Sequence, residues 1–346
     1  MGESYTTLRV VGILMVVAAA TKRAQIPFSA WLPAAMAAPT PVSSLVHSST
    51  LVTAGVYLLV RFHGNLGVGD SRARGLLLVA CLTMFMAGLG ANFEMDLKKI
   101  IALSTLSQLG LMMAILGLGF PELAFFHLIT HALFKALLFM CAGNYIHSLG
   151  DNQDIRWMGG LGVQMPLTSS CFVLSNMALC GLPFLAGFYS KDTILETALA
   201  TPTNGVALGL YFLATGLTVR YTVRLVGVVL ILPFKGKALV SWGEENWGML
   251  YPMIILAFFA VTGGRALAWR IFSTPTVLIL PFPLKTLTMG VIAAGALLGG
   301  VVAKWGPVRA GQFWTLPSSP STVFCMGDMW FLPNLSTKTS MGGMFG

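Results

Sequence analysis

Ionisable side chains stand inside segments of this chain that are apolar enough to cross a bilayer. They are three lysines and three histidines: Lys22, His47, His127, His131, Lys135 and Lys191. Placing an ionisable group near the bilayer centre costs roughly 2.5 to 3.5 kcal/mol on insertion scales, so such groups are rarely without a function. We therefore interpret these residues as parts of a pathway through the membrane.

Two of the histidines and one lysine share a single predicted helix. His127, His131 and Lys135 occupy positions i, i+4 and i+8, so on an α-helix they lie on one face and climb roughly 12 Å. Imidazole takes up a proton on one nitrogen and releases one from the other near neutral pH. The spacing predicts a proton relay. Zinc binding and histidines satisfied by backbone carbonyls are the alternatives, although no glutamate follows His127 as in helical zinc motifs.

The lysines suit such a relay, because desolvation disfavours the charged form of an amine. In a low-dielectric site, moving a nearby charge by a few ångströms changes the Coulomb energy by kilocalories. We expect Lys22, Lys135 and Lys191 to gain and lose protons as neighbouring charges move. Asp192, which follows Lys191 directly, is a candidate charge partner.

Membrane helices are predicted to position these residues. Hydrophobic residues make up 56% of the 346 positions and charged residues 10%, which is too apolar for one water-soluble core. The alternating pattern of a membrane β-barrel is absent. We predict an all-α, polytopic transmembrane helix bundle of about nine spans, at residues 8–38, 41–62, 75–91, 99–118, 122–147, 164–200, 205–233, 248–264 and 283–304.

Two of these spans, 8–38 and 164–200, are too long for one straight helix, and each carries prolines close to a lysine. An interior proline breaks a helix, and the freed backbone groups must then be satisfied inside the protein or by water. Two such spans in comparable positions predict an antiporter-like repeat. The expected domains are the end of a first repeat (1–62), a second repeat (63–233), C-terminal transmembrane helices (234–305) and a loop-like tail (306–346).

Several other functions find no support in the sequence. The net charge of +9 comes without a run of like charges, so we predict binding to membrane lipids and not to nucleic acid. The five cysteines form no close pair, and neither a nucleotide-binding loop nor a hydrolytic triad occurs. A membrane haem held by two histidines, for example His47 with His131, stays open as an alternative.

Four stretches closely resemble one family. Residues 22–50, 127–135, 154–161 and 183–192 are similar to the chain-five subunits of NADH:ubiquinone oxidoreductase, respiratory complex I, above all to the mitochondrial subunits of animals. The resemblance implies an antiporter-like proton-pumping subunit at the far end of the membrane arm, in the mitochondrial inner membrane. It assigns proton transfer to the six residues named first: Lys22, His47, His127, His131, Lys135 and Lys191.

The resemblance also implies partners and cofactors. The partners would be other membrane-arm subunits, including the adjacent antiporter-like subunit, and a separate polypeptide or missing segment that supplies six preceding helices. No cofactor is expected in this chain; FMN, iron–sulfur clusters and ubiquinone are expected in other subunits. Arg23 departs from the family, which more usually has a small residue there. A stand-alone cation/proton antiporter subunit and a purely structural scaffold are the remaining alternatives.

Overall fold

The computed structural model describes residues 2–65, 71–202, 204–235, 244, 247–272, 278–304 and 329–332. These residues are almost entirely helical, and the described part of the chain has one isolated β-bridge, between Asp96 and Asp154. The α-helices are α1 (Gly2–Lys22), α2 (Trp31–Ala34), α3 (Thr40–Val42), α4 (Leu51–Arg61), α5 (Ser71–Phe93), α6 (Leu97–Leu118), α7 (Pro121–Ser148), α8 (Leu161–Gln164), α9 (Pro166–Cys180), α10 (Ala186–Ala200), α11 (Gly205–Val226), α12 (Trp247–Ile271) and α13 (Phe282–Lys304). Two π-helices, Ser43–Thr50 and Gly227–Ile231, continue α3 and α11.

Within the described residues, seven helical segments are long and apolar enough to cross a membrane: Thr40–Arg61, Arg72–Phe93, Leu97–Leu118, Pro121–Ser148, Gly205–Ile231, Trp247–Ile271 and Phe282–Val301. Two shorter apolar helices, Val10–Lys22 and Pro166–Cys180, are the first halves of the two spans predicted to be broken. The predicted fold class of a polytopic helical bundle is confirmed, and the chain is a multi-pass membrane protein. The count of nine spans stays a prediction.

One predicted boundary changes, and another is largely untested. Helix α12 continues to Ile271, seven residues past the predicted end at residue 264. Arg265 and Arg270, which the sequence suggested as flanking residues, lie within the helix, and the helix packs against α7 and α10. The predicted tail at residues 306–346 lies outside the described residues, apart from a short 3₁₀-helix at Met329–Phe331.

Helix α6 forms the centre of the bundle. In its most apolar window 94% of the residues are buried, against 28% in α12 and 17% in α13. A Cβ atom on Gly110 would lie 2.9 Å from the carbonyl oxygen of Ala80 on α5, so the two helix backbones approach closely. The polar residues in the middle of α6, Ser104, Thr105, Ser107 and Gln108, are therefore enclosed by protein.

Helix α12 lies at the periphery with an apolar outer face. Phe258 and Phe259 are exposed in mid-helix, and Trp247 and Trp269 are exposed near the two ends. The two tryptophans stand about 33 Å apart along a straight helix at about 1.5 Å per residue, close to the roughly 30 Å of a bilayer core. This placement is typical of aromatic residues at the two membrane interfaces.

Candidate functional site

The first predicted break is confirmed by the structure. Helix α1 ends at Lys22, and helical structure resumes at Trp31. The backbone N–H of Arg23 donates to the carbonyl of Ala19 at 3.1 Å, and the Trp31 indole N–H donates to the carbonyl of Thr21 at 3.1 Å. The chain thus satisfies carbonyl groups at the end of α1 itself, as a break inside a membrane requires.

The second predicted break is confirmed between α9 and α10. Gly181 ends α9 with a φ of +85°, a conformation that glycine adopts without strain. At Gly187, in the first turn of α10, a Cβ atom would lie 1.8 Å from the carbonyl oxygen of Ala178. The two halves of the broken span therefore touch, and Lys191 follows one turn after this contact.

His127 lies in the interior between α6, α7 and α10, and both ring nitrogens have partners. Nδ1 is 2.9 Å from the hydroxyl of Ser190, and Nε2 is 3.3 Å from the side-chain oxygen of Gln108. Thr130 donates to the same Ser190 hydroxyl at 3.0 Å. These contacts are consistent with one directed chain, in which Thr130 donates to Ser190, Ser190 to His127 Nδ1, and His127 Nε2–H to Gln108.

His131 is the next predicted relay residue along α7. Its ring centroid is 6.1 Å from that of His127, and its edge contact with Phe134 has a centroid distance of 5.5 Å. The side chain is fully buried, and neither ring nitrogen has a hydrogen-bond partner among the described residues. The structure thus places the two histidines as neighbours but holds only His127 by hydrogen bonds.

The two central lysines are buried on facing helices. Lys135 of α7 donates to the hydroxyl of Ser104 on α6. Lys191 of α10 donates to the hydroxyl of Thr218 on α11 at 3.0 Å and to the carbonyl of Leu179 at 3.4 Å. The two ammonium groups lie close enough for their charges to interact. Each amine is therefore held by neutral oxygens beside another cation, where small changes of nearby charge have large effects.

The broken-span carboxylate predicted as a charge partner lies at the edge of this interior. Asp192 is half-buried on α10, where the Thr288 hydroxyl of α13 and the charges of Lys191 and Lys285 act on it. It faces α13 in addition to Lys191. Its contacts connect the buried lysine to the outer layer of the bundle.

Lys22 does not lie where the sequence analysis expected. Its side chain is exposed on the described part of the chain, whereas that of Arg23 is fully buried. Helix α1 ends at Lys22, and the chain then changes direction. The side chain of the next residue, Arg23, therefore points into the protein. The expectation of a buried Lys22 is wrong for the described residues, and its role in proton transfer stays a prediction.

His47 lies in an irregular part of its span. The segment Ser43–Thr50 is π-helical, and the imidazole is half-buried with Nδ1 unpartnered among the described residues. Hydroxyl groups along this segment donate to carbonyls of the same helix, for example Ser48 to Ser44 at 2.5 Å and Ser49 to Leu45 at 2.8 Å. π-Helical turns are frequent at functional sites.

Sequence reasoning missed several residues of the interior. Thr218 and Tyr221 of α11 stand in a span where no signal distinguished them from ordinary packing residues; the Tyr221 hydroxyl lies beside Ser104 and Ser107. Ser190 precedes Lys191 directly, and only its contact with His127 gives it a role. Among the described residues no group of three or more His, Cys, Asp and Glu side chains could hold a metal ion.

Comparison with known proteins identifies the family. Residues 1–218 match the family described as NADH:quinone oxidoreductase/Mrp antiporter, transmembrane region, and residues 221–343 match the NADH dehydrogenase subunit 5 C-terminus. The NADH-ubiquinone oxidoreductase chain 5 of Anopheles gambiae is 54% identical over 340 residues, which are 97% of this chain and 57% of that protein. The corresponding mouse protein is 41% identical over 336 residues, covering 94% and 55%. The chain thus spans little more than half the length of these relatives.

Solved structures agree with this assignment. A chain of the Mrp complex from Dietzia sp. DQ12-45-1b superposes with a TM-score of 0.74 at 29% identity, covering 97% of this chain and 38% of that one. The membrane-bound sulfane sulfur reductase, an archaeal respiratory membrane complex, has a chain with a TM-score of 0.71 at 24% identity, covering 88% and 55%, which shows the shared fold. The chain therefore belongs to the NADH:quinone oxidoreductase/Mrp antiporter transmembrane family.

Proposed function

We propose that this chain translocates protons as a membrane-arm subunit of NADH:ubiquinone oxidoreductase in the mitochondrial inner membrane. The observation that carries the proposal is the buried row of proton-carrying groups, His127, Lys135 and Lys191, held by hydroxyl and amide side chains of α6, α10 and α11. Electron transfer would occur in other subunits, which would hold FMN, iron–sulfur clusters and ubiquinone. Adjacent membrane-arm subunits would be the partners.

In this mechanism the buried amines act as switches. Lys135 and Lys191 lie within electrostatic reach of each other, so holding both protons at once is costly. Arrival or departure of charge near one amine changes the proton occupancy of the other. His127 can pass a proton along its hydrogen-bonded chain by exchanging one ring nitrogen for the other as donor. His131, His47, Lys22 and Asp192 are proposed to extend this path.

A second candidate is a subunit of a stand-alone cation/proton antiporter, which the superposition on the Mrp complex chain favours. The higher identity to the NADH-ubiquinone oxidoreductase relatives and the match to the subunit 5 C-terminus favour the first proposal. Sodium-dependent transport by the purified assembly without NADH oxidation would support the antiporter instead. The same comparisons offer no support for a haem protein.

Lys135→Met tests the proposal in the assembled complex. Methionine keeps the length of the side chain and removes the proton-carrying amine. Proton transfer through this chain should slow by roughly 10²-fold, the lower end of what a positioned proton-transfer group contributes. The measurement is the number of protons translocated per NADH oxidised in sealed vesicles.

Lys99→Met provides the matched control, since Lys99 is an exposed lysine of the neighbouring helix α6, 2.8 Å from Asp96. Loss of an exposed ion pair costs about 1 kcal/mol at most, so this variant should pump normally. A lower proton yield, or a parallel loss of proton and electron transfer, in assembled Lys135→Met supports the proposal. Unchanged yield at an unchanged rate contradicts it.

A further inference from the structure

Arg23 is a fully buried cation that the proton path described above does not use. The side chain lies where the first break meets α4, and a Cβ atom on Gly55 would be 3.1 Å from its Nε atom. The absence of a side chain at Gly55 therefore leaves room for the arginine. None of the three guanidinium nitrogens has a hydrogen-bond partner among the described residues.

Arg23 lies close enough to His131 for its charge to act on the ring. The other charged and titratable groups that act on His131 are Lys135 and His127 on its own helix. All three groups are basic, and no carboxylate of the described residues is among them. His131 is thus a buried ring without a hydrogen-bond partner among the described residues, within electrostatic reach of a buried cation from the first break.

Two physical facts define what this arrangement does. Buried polar groups are almost always hydrogen-bonded, so five guanidinium N–H donors and two ring nitrogens without partners among the described residues point to ordered water around both side chains. Arginine keeps its proton in proteins, so Arg23 cannot carry protons itself. A proton that moves through this water toward His131 meets a fixed positive charge in a low-dielectric site, where like charges repel strongly.

We propose that Arg23 is an electrostatic barrier that, in the resting complex, insulates His131 from protons arriving from the first helix break. Passive leakage past His131 is thereby suppressed, whereas the charge movements of turnover drive protons between the break and the central relay of His127, Lys135 and Lys191. The inference rests on the proposed function, since a barrier matters only where protons move. It is specific to this chain, because a small residue at this position could not supply the charge.

The test measures passive proton flow in the assembled complex without turnover. Sealed vesicles receive an imposed pH gradient in the absence of NADH, and a pH-sensitive dye reports proton uptake. Arg23→Gln, which keeps much of the volume and hydrogen bonding but removes the charge, should raise the leak about tenfold. Arg23→Lys keeps a cation at the site and should keep the leak low.

Two further variants separate the barrier from a packing effect. Adding His131→Leu to Arg23→Gln should return the leak to the original level, because the proposed route passes through His131. If the glutamine variant does not assemble, Arg23→Ser removes the charge with a small residue and should leak in the same way. An unchanged leak in an assembled neutral variant overturns the proposal, as does an equal leak in the lysine variant.

The outcome is independent of the Lys135→Met experiment. That experiment measures pumping during NADH oxidation, whereas this one measures conductance at rest. If Lys135→Met lowers the proton yield but Arg23→Gln causes no leak, the proposed function is supported and the barrier proposal is overturned. A complex whose yield is insensitive to Lys135→Met loses the proposed function directly.

Discussion

Two histidines one helical turn apart have opposite surroundings. His127 has partners at both ring nitrogens, whereas His131 has none among the described residues. A ring held at both nitrogens keeps one orientation, along which protons can pass in a fixed direction. The ring of His131 is positioned instead by packing, including its edge contact with Phe134.

The orientation of His127 depends on Ser190. We predict that Ser190→Ala, which leaves Nδ1 of His127 without its partner, destabilises the chain by about 1 to 3 kcal/mol and slows proton transfer roughly tenfold. Ser170→Ala is the control, because Ser170 is exposed and donates only within α9, to Leu167 at 2.7 Å. Thermal unfolding and proton yield per NADH check the two effects. A Ser190→Ala variant that matches the control in both would contradict the role of Ser190.

At the residue scale the sequence predicted which ionisable side chains of α7 are buried, but not every orientation. The i, i+4, i+8 spacing correctly placed His127, His131 and Lys135 in the interior on one face of α7. The same reasoning failed at Lys22 and Arg23, because the helical face of a residue is undefined once the helix has ended. The contact of His127 with Ser190 depends on how α7 packs against α10. The spacing of residues along one helix carries no information about that packing.

At the scale of elements, the second break depends on close backbone contact between its two halves as much as on proline. We predict that Gly187→Ala destabilises the chain by about 3 kcal/mol or more, since its Cβ atom would collide with the carbonyl oxygen of Ala178 at 1.8 Å and the backbone would have to move. The level of assembled complex and its thermal stability measure the effect.

Gly209→Ala is the matched control for this substitution. Gly209 lies on α11, and a Cβ atom added there would have no atom within 4 Å, so alanine should be neutral or stabilising by up to about 1 kcal/mol. Similar stability of the two variants would show that the contact between α9 and α10 is easily relaxed. Loss of assembly in both would also contradict the prediction.

The breaks were predictable because proline and glycine act locally on the backbone. The π-helix at His47 was not. Ser44, Ser48 and Ser49 donate to carbonyls of their own helix and so compete with the regular ladder of backbone hydrogen bonds. Because hydroxyl-rich helices usually remain α-helical, the sequence alone did not predict a π-helix here. The π-helical segment packs against α7, and this packing is not encoded in the local sequence.

At the scale of the whole molecule, loops at one end of the bundle are tied together. Leu97 N–H donates to Gln153 at 2.9 Å, and Ile155 N–H donates to Met95 at 3.0 Å, which joins the α5–α6 turn to the loop after α7. Arg224 of α11 donates to carbonyls of the same turn. Four helices, α5, α6, α7 and α11, are thereby connected by hydrogen bonds to backbone groups at this end of the bundle.

Asp154 stabilises this junction in a pH-dependent way. Burial alone would raise the pKa of Asp154, but the hydrogen bonds and charge of Arg156 outweigh burial and hold the pKa below its ordinary value. A carboxylate with a lowered pKa in the folded state stabilises the fold above its unfolded value of about 3.9. That contribution is lost as pH falls through the folded pKa.

We predict that Asp154→Ala loosens the junction by about 1 kcal/mol at neutral pH, because the side chain also caps the short helix Ile155–Trp157. Amide hydrogen exchange at Leu97 and Ile155 should be faster in the variant at pH 7. The difference should shrink as the pH falls below about 4. Asp154→Asn can still cap the short helix but carries no charge. It should slow amide exchange at Leu97 and Ile155 relative to Asp154→Ala, and this effect should not change as the pH falls. A difference between Asp154→Ala and the parent that is constant with pH would contradict the account.

The enclosure of α6 has a consequence for how the chain is made. Helix α6 carries Ser104, Ser107 and Gln108 and begins with Lys98 and Lys99, so its exposure to lipid is unfavourable. In the folded chain, protein buries 94% of the residues in its most apolar window. During synthesis we expect α6 to enter the bilayer together with α5 as a helical hairpin, because α5 packs closely against it at Gly110 and shields it from lipid. Biogenesis of this protein should therefore be most sensitive to mutations at the α5–α6 seam, before any neighbouring subunit has joined.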